Sequence, residues 1–281
     1  MWSVNGFTKQ KKLFERLVDE HALTHAYLFY GPAMIGKRSF ALDLMSKAND
    51  RPASNDPDVF VLEPKVEEGE SNIYVENIRN LKNFLSRRPL NGPYKFVLVD
   101  YAHRITEEGA NALLKALEEP NPQTVFILIS DQVGTIPSTI LSRCQQILFT
   151  AHPDSIVKKF VESFDWNKDD QEMILTLAGG RLGWVQRTHD AKHLSEIKKS
   201  LAQFQALSTQ PYFERFAYAQ AIHDVGNYKE LIDLWLRWLR SHAIKDSSVP
   251  AKLSNLLALY ELSQQPQYNH RLALEHFFLS L

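Results

Sequence analysis

Short apolar segments alternate with helical patterns through the first 150 residues of this chain. The apolar segments, typical of buried strands, lie at residues 26–30, 58–62, 95–100 and 124–130, and residues 145–149 predict a last strand. Between them the apolar residues have helical spacing, as at Ile78, Leu81 and Leu85. Strands that alternate with helices predict an α/β domain with a parallel sheet and flanking helices.

The pattern changes after residue 150, where the strand signals end. Residues 151–190 predict a small helical domain with a break at Gly179 and Gly180, and residues 191–281 are helical throughout. We therefore predict three domains, at residues 1–150, 151–190 and 191–281. In the last of them, large apolar residues form one stripe, which we expect to mediate oligomerisation: Leu231, Leu234, Trp235, Trp238 and Leu239. Core packing is the alternative for Trp235 and Trp238.

Composition restricts the class of protein. The 281 residues are 44% hydrophobic and 23% charged, as in ordinary soluble proteins, and the net charge of −1 disfavours a general coat of positive charge for nucleic acid. A single cysteine excludes an internal disulfide and a multi-cysteine zinc site. No apolar run is long enough to span a membrane, and the first residues do not resemble a signal peptide. We expect a cytoplasmic location without membrane contact.

A phosphate-binding loop is the first candidate site. Residues 31–38 follow a predicted strand and read G-P-A-M-I-G-K-R, which fits the pattern G-x-x-x-x-G-K. In such loops the backbone N–H groups cradle phosphates, the lysine reaches the outer ones, and a following hydroxyl holds Mg²⁺. Arg38 replaces that hydroxyl residue. We predict a degenerate nucleotide site at Gly31, Gly36, Lys37 and Arg38, with a turn that no longer binds nucleotide as the alternative.

Two positions after the third predicted strand bear on hydrolysis. Asp100 stands where the Mg²⁺-associated acid of such folds belongs. Tyr101 follows it, at the position where a hydrolase would carry a water-activating glutamate. With a reference pKa of about 10, tyrosine is a poor base at neutral pH. The sequence therefore lacks both a metal-binding hydroxyl and a base, and predicts that the chain alone does not hydrolyse ATP.

Two further segments are more distinctive. Residues 111–120 read N-A-L-L-K-A-L-E-E-P, a predicted helix that Pro120 ends, and residues 142–144 read S-R-C after P-S-T-I at 137–140. An arginine in a short loop after a nucleotide-binding core is suited to reach a phosphate that a neighbouring subunit holds. Arg143 is therefore the candidate catalytic residue, acting in trans, and a local salt bridge with a nearby carboxylate is the alternative.

These segments, with H-A-Y-L-F-Y-G-P at residues 25–32 and N-H-R-L-A-L-E at 269–275, resemble the AAA+ clamp-loader family of bacterial DNA polymerase III. The resemblance covers nearly the whole chain and disfavours a P-loop enzyme or DNA-binding factor outside replication. It implies an AAA+ module, a small helical lid and an all-α C-terminal collar. Five such subunits form a ring-like spiral that loads the sliding clamp onto primed DNA.

The resemblance also implies a role and partners for this chain. It indicates a stator, a subunit that presents Arg143 to ATP in a neighbouring motor subunit and does not itself hydrolyse ATP. The implied partners are gamma/tau-like motor subunits, a delta-like subunit, the sliding clamp and primed DNA. An ATP-hydrolysing motor subunit is the alternative, which Gly183 disfavours because motor subunits carry a second sensor arginine near that position.

The remaining expectations concern cofactors and DNA. Many family members carry a four-cysteine zinc module, but residues 46–57 are short and contain no cysteine, so we expect no zinc and no other metal site. We expect no cofactor to be required, and ATP or ADP binding at the degenerate loop stays open. Arg79 and Lys82 lie on one predicted helix and are candidates for phosphate contacts with DNA, with a solvated helix face as the alternative.

Overall fold

The computed structural model describes residues 2–67, 70–189, 191–243, 249–265 and 267–281. The chain divides into two compact units. The first consists of Met1–Ile156 with Gly180–Gly183, and the second of Val157–Gly179 with Trp184–Leu281. No helix among the described residues is both long and apolar enough to cross a lipid bilayer.

A five-stranded parallel sheet forms the centre of the first unit and confirms the predicted α/β fold. Its strand order is β2-β5-β6-β1-β7. The strands are β1 (Ala26–Tyr30), β2 (Val59–Leu62), β5 (Lys95–Val99), β6 (Thr124–Ser130) and β7 (Gln145–Leu148). Tyr30 pairs with Ser130, and Leu62 with Val99. The carboxyl ends of these strands therefore share one edge, where the predicted nucleotide site lies.

Helices cover the sheet because alternate strand residues face opposite sides. Phe29 packs with Phe14 and Phe40 on one side, whereas Leu28 packs with Leu113 on the other. The helices of the first unit are α1 (Thr8–Asp19), α2 (Lys37–Ala48), α3 (Val75–Leu85), α4 (Glu107–Glu118) and α5 (Ser138–Leu141). A further helix, α6 (Asp154–Val161), begins at the end of this unit.

The polar sequence of residues 63–71 predicts a loop, and this prediction is wrong. β3 (Lys65–Glu67) and β4 (Glu70–Asn72) pair as antiparallel strands, with Lys65 opposite Asn72. Each strand has three residues. Segments this short and polar lack the apolar alternation by which a strand is recognised in sequence.

The second unit is helical, as predicted. Its helices are α7 (Lys168–Ala178), α8 (Leu182–Thr188), α9 (Ala191–Leu207), α10 (Tyr212–Val225), α11 (Tyr228–His242), α12 (Val249–Ser263) and α13 (His270–Leu279). The first two residues of α8, Leu182 and Gly183, belong to the first unit. The indole of Trp235 on α11 is fully buried, stacks on Phe204 at 4.7 Å between ring centroids, and donates to Ser200 Oγ at 3.2 Å. Trp235 therefore packs inside its own unit and is not the intersubunit anchor that its place on the apolar stripe suggested.

Replacing this residue should destabilise the chain strongly. Trp235→Ala removes a fully buried indole and leaves a cavity, so we expect the free energy of unfolding to fall by about 3–5 kcal/mol. Urea denaturation of the full chain measures the change. Trp238→Ala, at a partly exposed position of the same helix, is the control and should have a smaller effect. A loss below about 1 kcal/mol for Trp235→Ala would contradict the packing described here.

Candidate functional site

The loop between β1 and α2 forms one wall of a small pocket at the carboxyl edge of the sheet. The pocket has a volume of about 210 Å³, below the roughly 300–1,000 Å³ usual for small-molecule sites. Two glycines shape the loop. Gly36 has a φ of 107°, and Gly31 has a φ of 141° and passes so close to the Phe149 carbonyl that a Cβ atom would clash with it.

Lys37 points back into its own loop. Its Nζ donates hydrogen bonds to the carbonyl oxygens of Gly31 at 2.7 Å and Pro32 at 2.6 Å, and the residue is buried. Burial strips water from the ammonium group and lowers the pKa of Lys37 to about 8, although Asp131 and Asp100 act in the opposite direction. The group that would reach a phosphate is therefore engaged by the loop.

Arg38 is paired with two carboxylates at this pocket. Its Nη1 donates to Asp100 Oδ2 at 2.9 Å, and its Nη2 pairs with Glu63. A guanidinium thus occupies the place of the Mg²⁺-binding hydroxyl and neutralises the acid that would assist the metal. Because Mg²⁺ needs oxygen ligands and a free negative charge, these residues do not fit a magnesium–nucleotide complex.

Tyrosine, a poor base at neutral pH, stands at the position of a catalytic base. Tyr101 has a φ of 51° and is 42% exposed, and partial burial together with the Asp100 carboxylate raises the pKa of its phenol. His103, which the sequence analysis missed, places Nδ1 3.3 Å from Ser130 Oγ and 3.2 Å from Asp131 Oδ1. Burial lowers the pKa of His103, against the effect of Asp131.

Gly183 closes the same pocket from another side. Its N–H donates to the Met34 carbonyl at 2.7 Å, and a Cβ atom at this position would lie 2.7 Å from that oxygen. A side chain here would push against the backbone of the phosphate loop. Gly183, near which the sequence analysis expects the sensor arginine of a motor subunit, is thus sterically restricted to glycine.

Arg143 lies outside this pocket, in the loop after α5. Its Nη2 donates to Glu118 Oε1 at 2.6 Å, and its Nη1 donates to the Thr139 carbonyl at 2.9 Å and Ser142 Oγ at 3.3 Å. The side chain is 34% exposed. Cys144 is buried behind it, where desolvation raises the pKa of the thiol to about 11. The guanidinium is therefore at the surface and also paired with a carboxylate of its own chain.

The DNA candidates lie on α3, in the first unit. Lys82 is exposed and lines a groove of about 310 Å³ between α3 and α4, together with Lys115. The side chain of Arg79 lies outside the described part of the structure. The two lysines place positive charge along this groove.

Comparison with known proteins identifies the family. The model described as "DNA polymerase III, delta subunit" matches residues 6–153, more than half of the chain. The DNA polymerase III subunit delta' of Pseudomonas aeruginosa is 35% identical over 226 residues, which cover 69% of this chain. The chain belongs to the delta-prime family of clamp-loader subunits. The AAA+ clamp-loader resemblance, with greatest likeness to delta-prime, is confirmed.

The delta-prime family chain is also similar to other subunits of DNA polymerase III. The delta' subunit of Bacillus subtilis is 32% identical over 54% of the chain, and the tau subunit of the same organism is 32% identical over 49%. The matches cover 66% of the Pseudomonas protein and 50% of the Bacillus delta' subunit, so the chain spans about half to two thirds of these relatives. A gamma subunit-related protein from Thermotoga maritima shares the fold, with a TM-score of 0.57 at 21% identity over 95% of this chain and 97% of that one.

Three residues that the sequence did not single out contribute to the candidate sites of this delta-prime family member. Glu63 lies at the start of a segment that read as a loop, Glu118 belongs to the end of α4, and His103 follows Tyr101 in a short 3₁₀ turn. Glutamate at a helix end is ordinary in a sequence, so Glu118 gave no signal of its pairing with a residue 25 positions away. The location of His103 two residues after Asp100–Tyr101 could have been used to predict its place at the pocket.

The shifted Lys37 gives a pH dependence with a definite sign. Its pKa is about 8 in the folded chain and 10.5 in its ordinary state, so between these values the unfolded chain holds more protons. The contribution of Lys37 to the free energy of unfolding is therefore greatest above about pH 10.5, and it is lost as the pH falls to about 8.

Urea denaturation of the wild type and Lys37→Met at pH 7.5–9.5 measures this effect. The wild type should gain up to about 1.4 kcal/mol per pH unit relative to the variant above pH 8. Comparing the two proteins removes the titration of other groups. A difference in unfolding free energy that does not change with pH would show that Lys37 keeps its ordinary pKa.

Proposed function

We propose that this chain is a stator subunit of a DNA polymerase III clamp loader, which helps to load the sliding clamp onto primed DNA. It donates Arg143 to ATP bound in a neighbouring subunit and hydrolyses no ATP itself. The names of its relatives, delta' and tau subunits of DNA polymerase III, support this class of complex. The proposed partners are gamma/tau-like motor subunits, a delta-like subunit, the clamp and primed DNA.

One observation carries the proposal. The pocket's own cations are bound within the pocket, Arg38 to Asp100 and Lys37 to the loop carbonyls. A chain that used ATP would need both groups free. Arg143 lies outside this pocket, in a surface loop where its partner Glu118 is half exposed, and this location suits action on ATP held elsewhere. Arg143→Ala in a reconstituted complex tests this, because hydrolysis must fall although the altered chain hydrolyses no ATP.

The motor-subunit alternative rests on two features. The chain retains Lys37 within a complete G-x-x-x-x-G-K pattern, and tau subunits are among its relatives. Arg38, Tyr101 and Gly183 each remove a part that hydrolysis requires. The Pseudomonas delta' subunit aligns over 69% of the chain, and the Bacillus tau subunit over 49%. We therefore favour the stator role.

Contact with primed DNA is a separate part of the proposal. Lys82, with Arg79 on the same helix, provides positive charge that suits phosphate groups without reading sequence. Lys115 across the groove adds to it. A solvated helix face remains the competing interpretation for these residues.

We propose that assembly uses an exposed aromatic face of α10, because Leu234, Trp235 and Leu239 of the α11 stripe are buried within the chain. Phe213 is 70% exposed and Phe216 39% exposed, and Tyr212 beside them is also exposed. Exposed aromatic residues at helical spacing are typical anchors of protein interfaces. This face replaces Trp235 as the candidate oligomerisation surface.

Loss of this aromatic face should weaken assembly. We expect Phe213→Ala with Phe216→Ala to raise the dissociation constant for the partner subunits at least tenfold, because buried aromatic anchors contribute about 2 kcal/mol or more each. Analytical ultracentrifugation of mixed subunits measures the constant. Val225→Ala, at an exposed position on the same helix, is the matched control. Equal affinity of the double variant and the control would exclude this surface.

A further inference from the structure

The pairing of Arg143 divides its guanidinium into two parts. Nη1 is held by its own loop, through the Thr139 carbonyl and Ser142 Oγ. Nη2 contacts Glu118, on a different element, at 2.6 Å. The Glu118 side chain is 49% exposed. One edge of the arginine is thus fixed by backbone and hydroxyl groups, and the other is occupied by a carboxylate accessible to solvent.

The carboxylate of Glu118 does not stabilise the helix to which it belongs. It is the last residue of α4, where the helix dipole disfavours negative charge. Lys115 lies in the last turn, where a cation is favourable. A carboxylate at this end is therefore accounted for by its contact with Arg143.

We propose that Glu118 is a positioning residue that competes with the phosphates of the neighbouring subunit's ATP for Arg143, an inference that rests on the proposed function. Thr139 and Ser142 keep the guanidinium oriented, and Glu118 occupies its second edge until a phosphate of higher charge displaces the carboxylate. An ion pair this exposed is weak and readily exchanged. The carboxylate thereby sets how tightly the loader must hold ATP before Arg143 engages it.

The competition predicts an asymmetric kinetic effect. In a reconstituted loader, Glu118→Gln should lower KM for ATP about two- to fivefold, the range expected for one exposed ion pair, and leave kcat unchanged. A change in KM alone is the signature of binding that is equal in the ground and transition states. Glu119→Gln, one residue further along and also exposed, is the control and should leave KM unchanged.

A double variant separates this inference from the proposed function. If Glu118 acts through Arg143, Glu118→Gln must have no effect on KM in an Arg143→Ala background. A wild-type ATPase with Arg143→Ala alone would overturn the proposed function. If that variant slows the loader but Glu118→Gln leaves KM unchanged, lowers kcat, or still acts without Arg143, the competition inference is wrong and the proposed function stands.

Discussion

A clamp loader that contains Arg143→Ala is expected to hydrolyse ATP more slowly in the presence of clamp and primed DNA. A guanidinium supplied across a subunit boundary stabilises charge on the transferring phosphoryl group, an effect of about 10³–10⁵ in rate. That loss applies to the ATP site that faces Arg143. The fall for the whole complex is smaller, because other subunits present their own arginines to the remaining sites.

Two further variants define the cause of that loss. Arg143→Lys keeps the charge but lacks the fixed fork of donors, so it should also slow the complex. Arg51→Ala removes an exposed arginine remote from the SRC segment in sequence and should leave the rate unchanged. Both Arg143 variants should fold and assemble normally, as sedimentation can verify. Wild-type hydrolysis and clamp loading by Arg143→Ala would make the stator mechanism untenable.

The second large effect is the absence of ATP turnover by the isolated chain. Arg38 is paired with Asp100 and Glu63, and Tyr101 stands in place of a base. We expect turnover far below the roughly 1 per second at which ordinary enzymes begin. A phosphate-release assay on the purified chain measures it.

The controls for this result use the same pocket. Arg38→Thr restores a hydroxyl but not a base, so it should remain inactive as well. If the wild type hydrolyses ATP at about 1 per second or faster, and Lys37→Ala abolishes that activity, the chain is a motor subunit. Activity that survives Lys37→Ala would instead indicate a contaminating ATPase.

Local pattern was sufficient to predict most of the α/β unit. The strands of the sheet follow mainly from short apolar segments, and Thr106 before two glutamates is a typical helix start. In the structure its hydroxyl accepts from Gly109 N at 3.2 Å. Arg38 and Tyr101 were also readable, because a phosphate loop fixes which residue type each position requires.

The ion pairs between residues far apart in sequence could not be predicted from these local patterns. Arg38 meets Glu63, and Arg143 meets Glu118, through the packing of elements that no local spacing relates. For a related reason the sequence left two interpretations of Trp235 open, core packing and a subunit interface. A helical apolar stripe shows that one face is covered, but not whether its own domain or another subunit covers it.

The number of ATP molecules hydrolysed in a single burst tests the central claim most directly. Loaders preloaded with ATP and then mixed with clamp and primed DNA release phosphate in a burst whose amplitude counts the active sites. With Arg143→Ala, the amplitude of the fast phase should fall by the share of one motor site, while the other sites react at their usual rate. An unchanged amplitude and rate would contradict the claim that this chain supplies an arginine to its neighbour's ATP.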